Sequence, residues 1–123
     1  MRHVHPSFSI SISQPIPALV LVTAVGDLDL LAAPEFDAHL AAAVTGPDTS
    51  ELVVDLTRLR FLCARGLGSV RTAYDAARAR DIDFQLVLSS PFLVRLFELL
   101  EPHHQMTVRS HLDPRIAGDV EAG

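Results

Sequence analysis

The residues with the most chemical promise lie together in "RFLCARGLGSV", from Arg60 to Val70, where an apolar strand hands over to an amphipathic helix. Gly66 and Gly68 at such a junction expose backbone N–H groups, an arrangement that suits a negatively charged group. Cys63 and Arg65 add a thiol beside a cation, which favours thiolate. Against nucleotide binding, a dinucleotide fingerprint opening at Gly66-Leu67-Gly68 fails at its third glycine, where Arg71 stands. No acidic residue ends the next strand, "LVLSS". A Walker loop requires a lysine, and the chain contains none; all ten basic residues are arginine.

Two other chemistries are weighed on the same terms. His3, His5, His103, His104 and His111 share no helical face with a carboxylate at ligand spacing, so they read as solvated or capping side chains rather than a metal centre. Cys63 has no histidine following nearby to serve as base, and cysteine is among the residue types most often buried. It reads as a packed strand-end residue, with a redox-responsive thiol as the weaker alternative. The sequence therefore predicts no catalytic residue, metal or cofactor.

The elements that position this turn follow from periodicity. Phe8, Ile10 and Ile12 alternate with serines as a strand with one wet face, and "QPIP" punctuates before a more buried strand over Ala18–Val25. The two prolines favour a turn, hence antiparallel neighbours. "GDLDLLAA" reads as a loop, Pro34 suits a first helical position, and Phe36, Leu40, Ala43 and Val44 repeat at helical spacing. "ELVVDL" is a short buried strand; Leu67, Val70, Tyr74 and Ala77 form a second helical stripe, opposite Thr72, Asp75 and Arg78. Phe84, Leu86 and Leu88 mark another strand, and "SSP" opens a third helix with Leu93, Leu96, Phe97 and Leu100 as its core face. Phe92 and Leu99 widen that face, as a self-association patch or a thicker core. "MTVRSHL" offers a last strand, and Asp113-Pro114 starts a short final helix.

Strands alternating with helices call for an α/β fold, a mixed, mostly parallel sheet of four to five strands with about four helices. The 123 residues suit one domain, with 49% apolar and 20% charged residues. Residues 1–5 read as a tail, 6–112 as the domain and 113–123 as the final helix or tail. A formal charge of −5 argues against nucleic-acid binding on a broad basic face. One cysteine fits a reducing compartment. No apolar run is long enough to span a membrane, and "MRHVHPSFSISIS" lacks a secretory segment. A cytoplasmic protein is the expectation.

Three stretches, "GDLDLLAAPEFDAHL", "ELVVDLTRLRFLCARGLGSV" and "LVLSSPFLVRLFELL", resemble the STAS domain of bacterial anti-sigma factor antagonists, over about Phe8 to Leu112. The resemblance implies the same fold and a partner: an anti-sigma factor, typically a serine kinase-like ATPase, whose capture frees a sigma factor for transcription. In that family the partner phosphorylates a serine in an Asp-Ser-Ser-Gly-Leu-Gly turn, and the antagonist lets go. Here Cys63 replaces the Asp, Ala64 the phosphorylated Ser and Arg65 the next Ser, while Gly66, Leu67 and Gly68 are retained. Ala64 has no hydroxyl to accept phosphate. "GDLD" matches the family's Gly-Glu-Leu-Asp loop, which places Asp27 and Asp29 beside Cys63, Ala64, Arg65, Gly66, Leu67 and Gly68 in the implied partner-binding surface. Asp27 and Asp29 also suit a turn and a helix cap. Ser69 and Thr57 are the nearby hydroxyls, Ser69 already within the helix. The alternative is an accessory subunit of a lipid-transporting ABC complex, as some small STAS proteins are; a homodimer is compatible with either.

Overall fold

A computed structural model describes residues 7–116. Its elements run β1 (Phe8–Ile16), β2 (Leu19–Leu28), α1 (Ala33–Thr45), β3 (Glu51–Leu62), α2 (Ala64–Ala79), β4 (Asp83–Val87), α3 (Pro91–Leu100) and β5 (Thr107–Arg109). The strands form one sheet in sequence order, β1 antiparallel to β2 and each later pair parallel. A helical turn, Pro114–Ile116, follows Asp113. The expected mixed sheet, its antiparallel edge and its last strand are all present. The expected tail at residues 1–5 lies outside the described residues, as does the expected final helix beyond Ile116.

One apolar cluster joins α1, α2 and α3 to a single face of the sheet, through Phe36, Leu40, Leu67, Val70, Leu93 and Phe97 against Val22, Leu52, Val54 and Leu86. Leu19, Leu21, Val53 and Val87 face the other way and pack with Ile116 and the partly buried Leu112. The central strands are thus apolar on both faces over Leu19–Val22 of β2 and Leu52–Val54 of β3, as strands covered on two sides require.

Three strands are longer than their sequence suggests. β1 continues through Gln14, Pro15 and Ile16, read from sequence as punctuation, with its pairing to β2 irregular between Ser13 and Ile16. β3 runs past "ELVVDL" to Leu62, and its register against β2 shifts between Thr23 and Val25 and again between Gly26 and Asp27. These bulges give the strand extra residues, so its buried side chains Leu56, Leu59 and Leu62 recur every third position rather than every second. β2 likewise continues through Gly26, Asp27 and Leu28, which the sequence places in a loop. Gly26 has φ 101°, and a Cβ there would lie 1.9 Å from the Ser7 carbonyl oxygen, which accepts the Asp27 N–H at 2.7 Å. Only glycine lets β1 approach so closely. The third helix is also corrected: Leu93 and Phe97 are buried, but Leu100 is exposed and Leu96 only half-buried.

Candidate functional site

The parallel strands β2 and β3 end together, Asp27 opposite Phe61 and Leu28 opposite Leu62, and the Cys63 N–H donates to the Leu28 carbonyl at 2.9 Å. The chain then turns directly into α2. Cys63 is extended, with φ −81° and ψ 163°, and forms the N-cap: its Sγ accepts the Gly66 N–H at 3.4 Å. Sulfur is a weaker acceptor than the oxygen of Ser or Asp, the usual caps. The thiol is half-buried and occupied in this contact.

The two glycines of the turn have different tasks. A Cβ on Gly66 would stand 2.8 Å from Leu28 Cδ2 and 3.0 Å from Leu28 Cγ and Leu62 Cδ1. Gly66 therefore allows α2 to start flush against the strand ends. Leu67, only 3% exposed, continues that packing. A Cβ on Gly68 would meet nothing within 4 Å. Ala64, Arg65 and Gly68 are exposed, whereas Gly66 and Leu67 point inward. The surface that this turn offers is accordingly Cys63, Ala64, Arg65 and Gly68.

Both acidic residues of "GDLD" have structural duties. Asp29 Oδ1 accepts the N–H groups of Leu31 at 3.1 Å and Ala32 at 3.0 Å, and its carbonyl accepts those of Ala32 and Ala33. It closes the loop ahead of α1, whose N-cap residue Ala32 has no side-chain acceptor of its own. This closure leaves Leu30 and Leu31 turned outward at 67% and 75% exposure. Asp27 receives Arg60 in two parallel hydrogen bonds, Nε to Oδ1 at 3.2 Å and Nη2 to Oδ2 at 3.3 Å. The hydrogen bond and charge of Asp27 raise the Arg60 pKa from its ordinary value.

Leu30 and Leu31 leave the β2 end, and Phe61 the β3 end, all strongly exposed beside the turn. The sequence reading missed this apolar contribution, because bulky residues inside "DLLAA" and "LRFL" look like core. Arg65 is the second residue of α2 and has no ion pair among the described residues. The helix dipole and this guanidinium both make the corner positive.

The remaining candidates fall elsewhere. Ser69 is 5% exposed within α2, its hydroxyl donating to the Arg65 carbonyl at 3.3 Å. Thr57 lies in β3 and donates to Asp55 Oδ1 at 2.7 Å. His104 stacks on Phe97 at 4.6 Å between ring centroids and accepts the Met106 N–H at Nδ1, while His111 Nδ1 bonds the Ser110 hydroxyl. His3 and His5 lie outside the described residues. Among the described residues no group of His, Cys, Asp and Glu gathers as a metal site, and no helix is long and apolar enough to cross a membrane.

Comparison with known proteins gives the family. A family model described as "Mlab, STAS domain" matches residues 17–114. No curated protein sequence matches. Among solved structures, an anti-sigma factor antagonist from Mycobacterium paratuberculosis is similar with 22% identity and a TM-score of 0.79, over 93% of this chain and 96% of that one. The Bacillus cell fate determinant SpoIIAA in its phosphorylated form aligns with 20% identity and a TM-score of 0.67, over 92% and 99%. A serine-to-glutamate variant of Moorella thermoacetica RsbS aligns with 16% identity and a TM-score of 0.72, over 92% and 95%.

Proposed function

This chain belongs to the STAS-domain family, and on that premise we propose that it is an anti-sigma factor antagonist that phosphorylation at the turn cannot silence. It binds a kinase-like ATPase anti-sigma factor in the cytoplasm and thereby frees a sigma factor for transcription. It acts by occupying its partner, not by turning over a substrate.

The observation that carries this reading is the exposed corner at the start of α2. Ala64, Arg65 and Gly68 lie open beside Leu30, Leu31 and Phe61, and the position that would accept phosphate carries only a methyl group. A phosphate on a serine at that point would gain helix N–H partners and place a dianion in the interface. Alanine permits neither. Arg65 meanwhile presents a positive charge suited to an acidic group on the partner.

The reading is tested by mixing the protein with cognate anti-sigma kinases and ATP. A complex is expected to form and persist, with the mass of this protein unchanged. Phosphate on the protein refutes the regulatory part, and failure to bind any anti-sigma factor refutes the partner.

The same departure from the serine pattern supports a second reading, an accessory subunit of a lipid-transporting ABC complex, which would offer this corner to an ATPase subunit. Sigma or anti-sigma genes beside this one favour the first reading; permease and substrate-binding genes favour the second.

A further inference from the structure

One side of the β1 main chain has no strand to bond. β1 is the edge of the sheet and pairs only with β2, and no strand lies beyond it among the described residues. The ladder shows which residues face outward. The Asp27 N–H donates to the Ser7 carbonyl at 2.7 Å, one step beyond the opposed residues Phe8 and Gly26. Hydrogen-bonded and non-hydrogen-bonded pairs alternate along an antiparallel ladder. Ser9, Ser11 and Ser13 therefore direct their main-chain groups at β2, while Phe8, Ile10 and Ile12 turn theirs away from the sheet. Such an edge is normally blunted by charge, proline or a bulge. Phe8–Ile16 carries no charged residue, and its proline and irregular register come only after Ser13. The side chains divide in the same way. Phe8 and Ile10 join the core beneath the helices, and Ile12, on that same face, is 41% exposed.

We propose that β1 pairs antiparallel with β1 of a second copy about a two-fold axis at Ser11, joining the two sheets into one. The sequence names this occupant. Ser9-Ile10-Ser11-Ile12-Ser13 reads the same in both directions. An antiparallel copy centred on Ser11 therefore sets Ile10 opposite Ile12 and Ser9 opposite Ser13 of the second copy, as a two-fold interface requires. The main chain agrees with the side chains in that register. Ile10 and Ile12 are the residues whose N–H and C=O groups face outward, so each opposed pair exchanges both of its N–H···O bonds. A register one residue away sets the isoleucines against the serine face and loses that match. Ile12, exposed in one chain, is covered by Ile10 of the second copy. The contact is narrow, below the roughly 1,200 Å² of a standard interface, so the dimer is weak and reversible. Its main-chain bonds supply the affinity, as when a strand adds to any sheet edge. Nothing in it draws on the α2 corner, so it stands or falls separately from the antagonist reading.

Sedimentation velocity of the full chain from micromolar to near-millimolar concentration tests for the dimer, and hydrogen exchange over the same range locates it. Wild type is expected to pass from monomer to dimer. The Ile10 and Ile12 amides should exchange several-fold more slowly in the dimer, with little change at the Ser11 amide, which already bonds β2. Ile12→Lys sets a charge on each side of the axis and is expected to weaken association by about tenfold or more. Cross-linking fixes the register. With Cys63→Ser removing the native thiol, Ser11→Cys should give a covalent dimer on treatment with diamide, because the pair on the axis brings its Cα atoms to about 4.5 Å. Ser13→Cys in the same background should not, its two copies standing roughly 14 Å apart along the strands. A wild-type chain that stays monomeric to near-millimolar concentration overturns the proposal. A dimer whose Ile10 and Ile12 amides exchange as fast as in the monomer, or one that cross-links as well through Ser13→Cys as through Ser11→Cys, also overturns it.

Discussion

Replacing each glycine of the α2 turn by alanine separates a packing requirement from a bare surface, because the two sites differ so sharply in space. At Gly68 nothing lies within 4 Å of the added methyl group, so the change acts through helix propensity, in which alanine exceeds glycine by about 0.8–1.0 kcal/mol. Gly68→Ala is expected to stabilise the fold by about 0.5–1 kcal/mol, since the second turn of a helix realises most of that preference. At Gly66 the methyl would be 2.8 Å from Leu28 Cδ2 and 3.0 Å from Leu28 Cγ. Leu28 is fully buried and Leu62 nearly so, and moving them disturbs a close-packed core at about 1–3 kcal/mol. Set against the same propensity gain, a net loss of about 1 kcal/mol remains for Gly66→Ala. Urea titration of both variants should therefore move the midpoints in opposite directions at unchanged slope, and melting temperatures should separate by several degrees. Binding adds a second axis: Gly68→Ala should bind its partner less well while being more stable. Midpoints that shift the same way refute the reading of Gly66 as a packing residue and Gly68 as an open one.

Further outcomes follow from particular contacts. Asp29→Ala removes the acceptor of two amides and should cost about 1 kcal/mol, with faster hydrogen exchange at Leu31 and Ala32 as the local sign. Arg60→Ala breaks an exposed pair with Asp27 and should leave the urea midpoint in place while weakening partner capture. Asp113 is held below its ordinary pKa, first by the Arg115 N–H and also by the Arg115 guanidinium. A carboxylate with a depressed folded-state pKa adds its stabilisation above its unfolded value. That contribution is lost as pH falls through the lower, folded value, so the Arg115 amide resonance should titrate below the usual carboxylate range.

The order of elements was legible because each helix keeps its apolar stripe and each short strand is bounded by turn residues. β3 was legible only as far as Leu56, since the bulges opposite β2 replace the period of two by one of three. The extension of β2 through "GDL" was hidden by the glycine at φ 101°, a residue that reads as a loop unless the neighbouring strand's approach is known. Leu100 reads as a core residue because its spacing from Leu93 and Phe97 is helical, yet it is the last residue of α3 and is exposed. At the site, the loss of the acceptor hydroxyl is plain from the one residue Ala64. Which glycine is structural, and that Leu30, Leu31 and Phe61 point outward, depends on tertiary packing that no local pattern encodes.

The central claim, a recognition corner without an acceptor for phosphate, is tested most directly by comparing wild type with Ala64→Ser in the presence of the cognate anti-sigma kinase and ATP. The intact masses and the fraction of protein in complex are measured together. Wild type should remain unmodified and bound, while Ala64→Ser should acquire one phosphate and dissociate. Phosphate on the wild-type chain, or an Ala64→Ser variant that is phosphorylated and yet stays bound, would contradict the account.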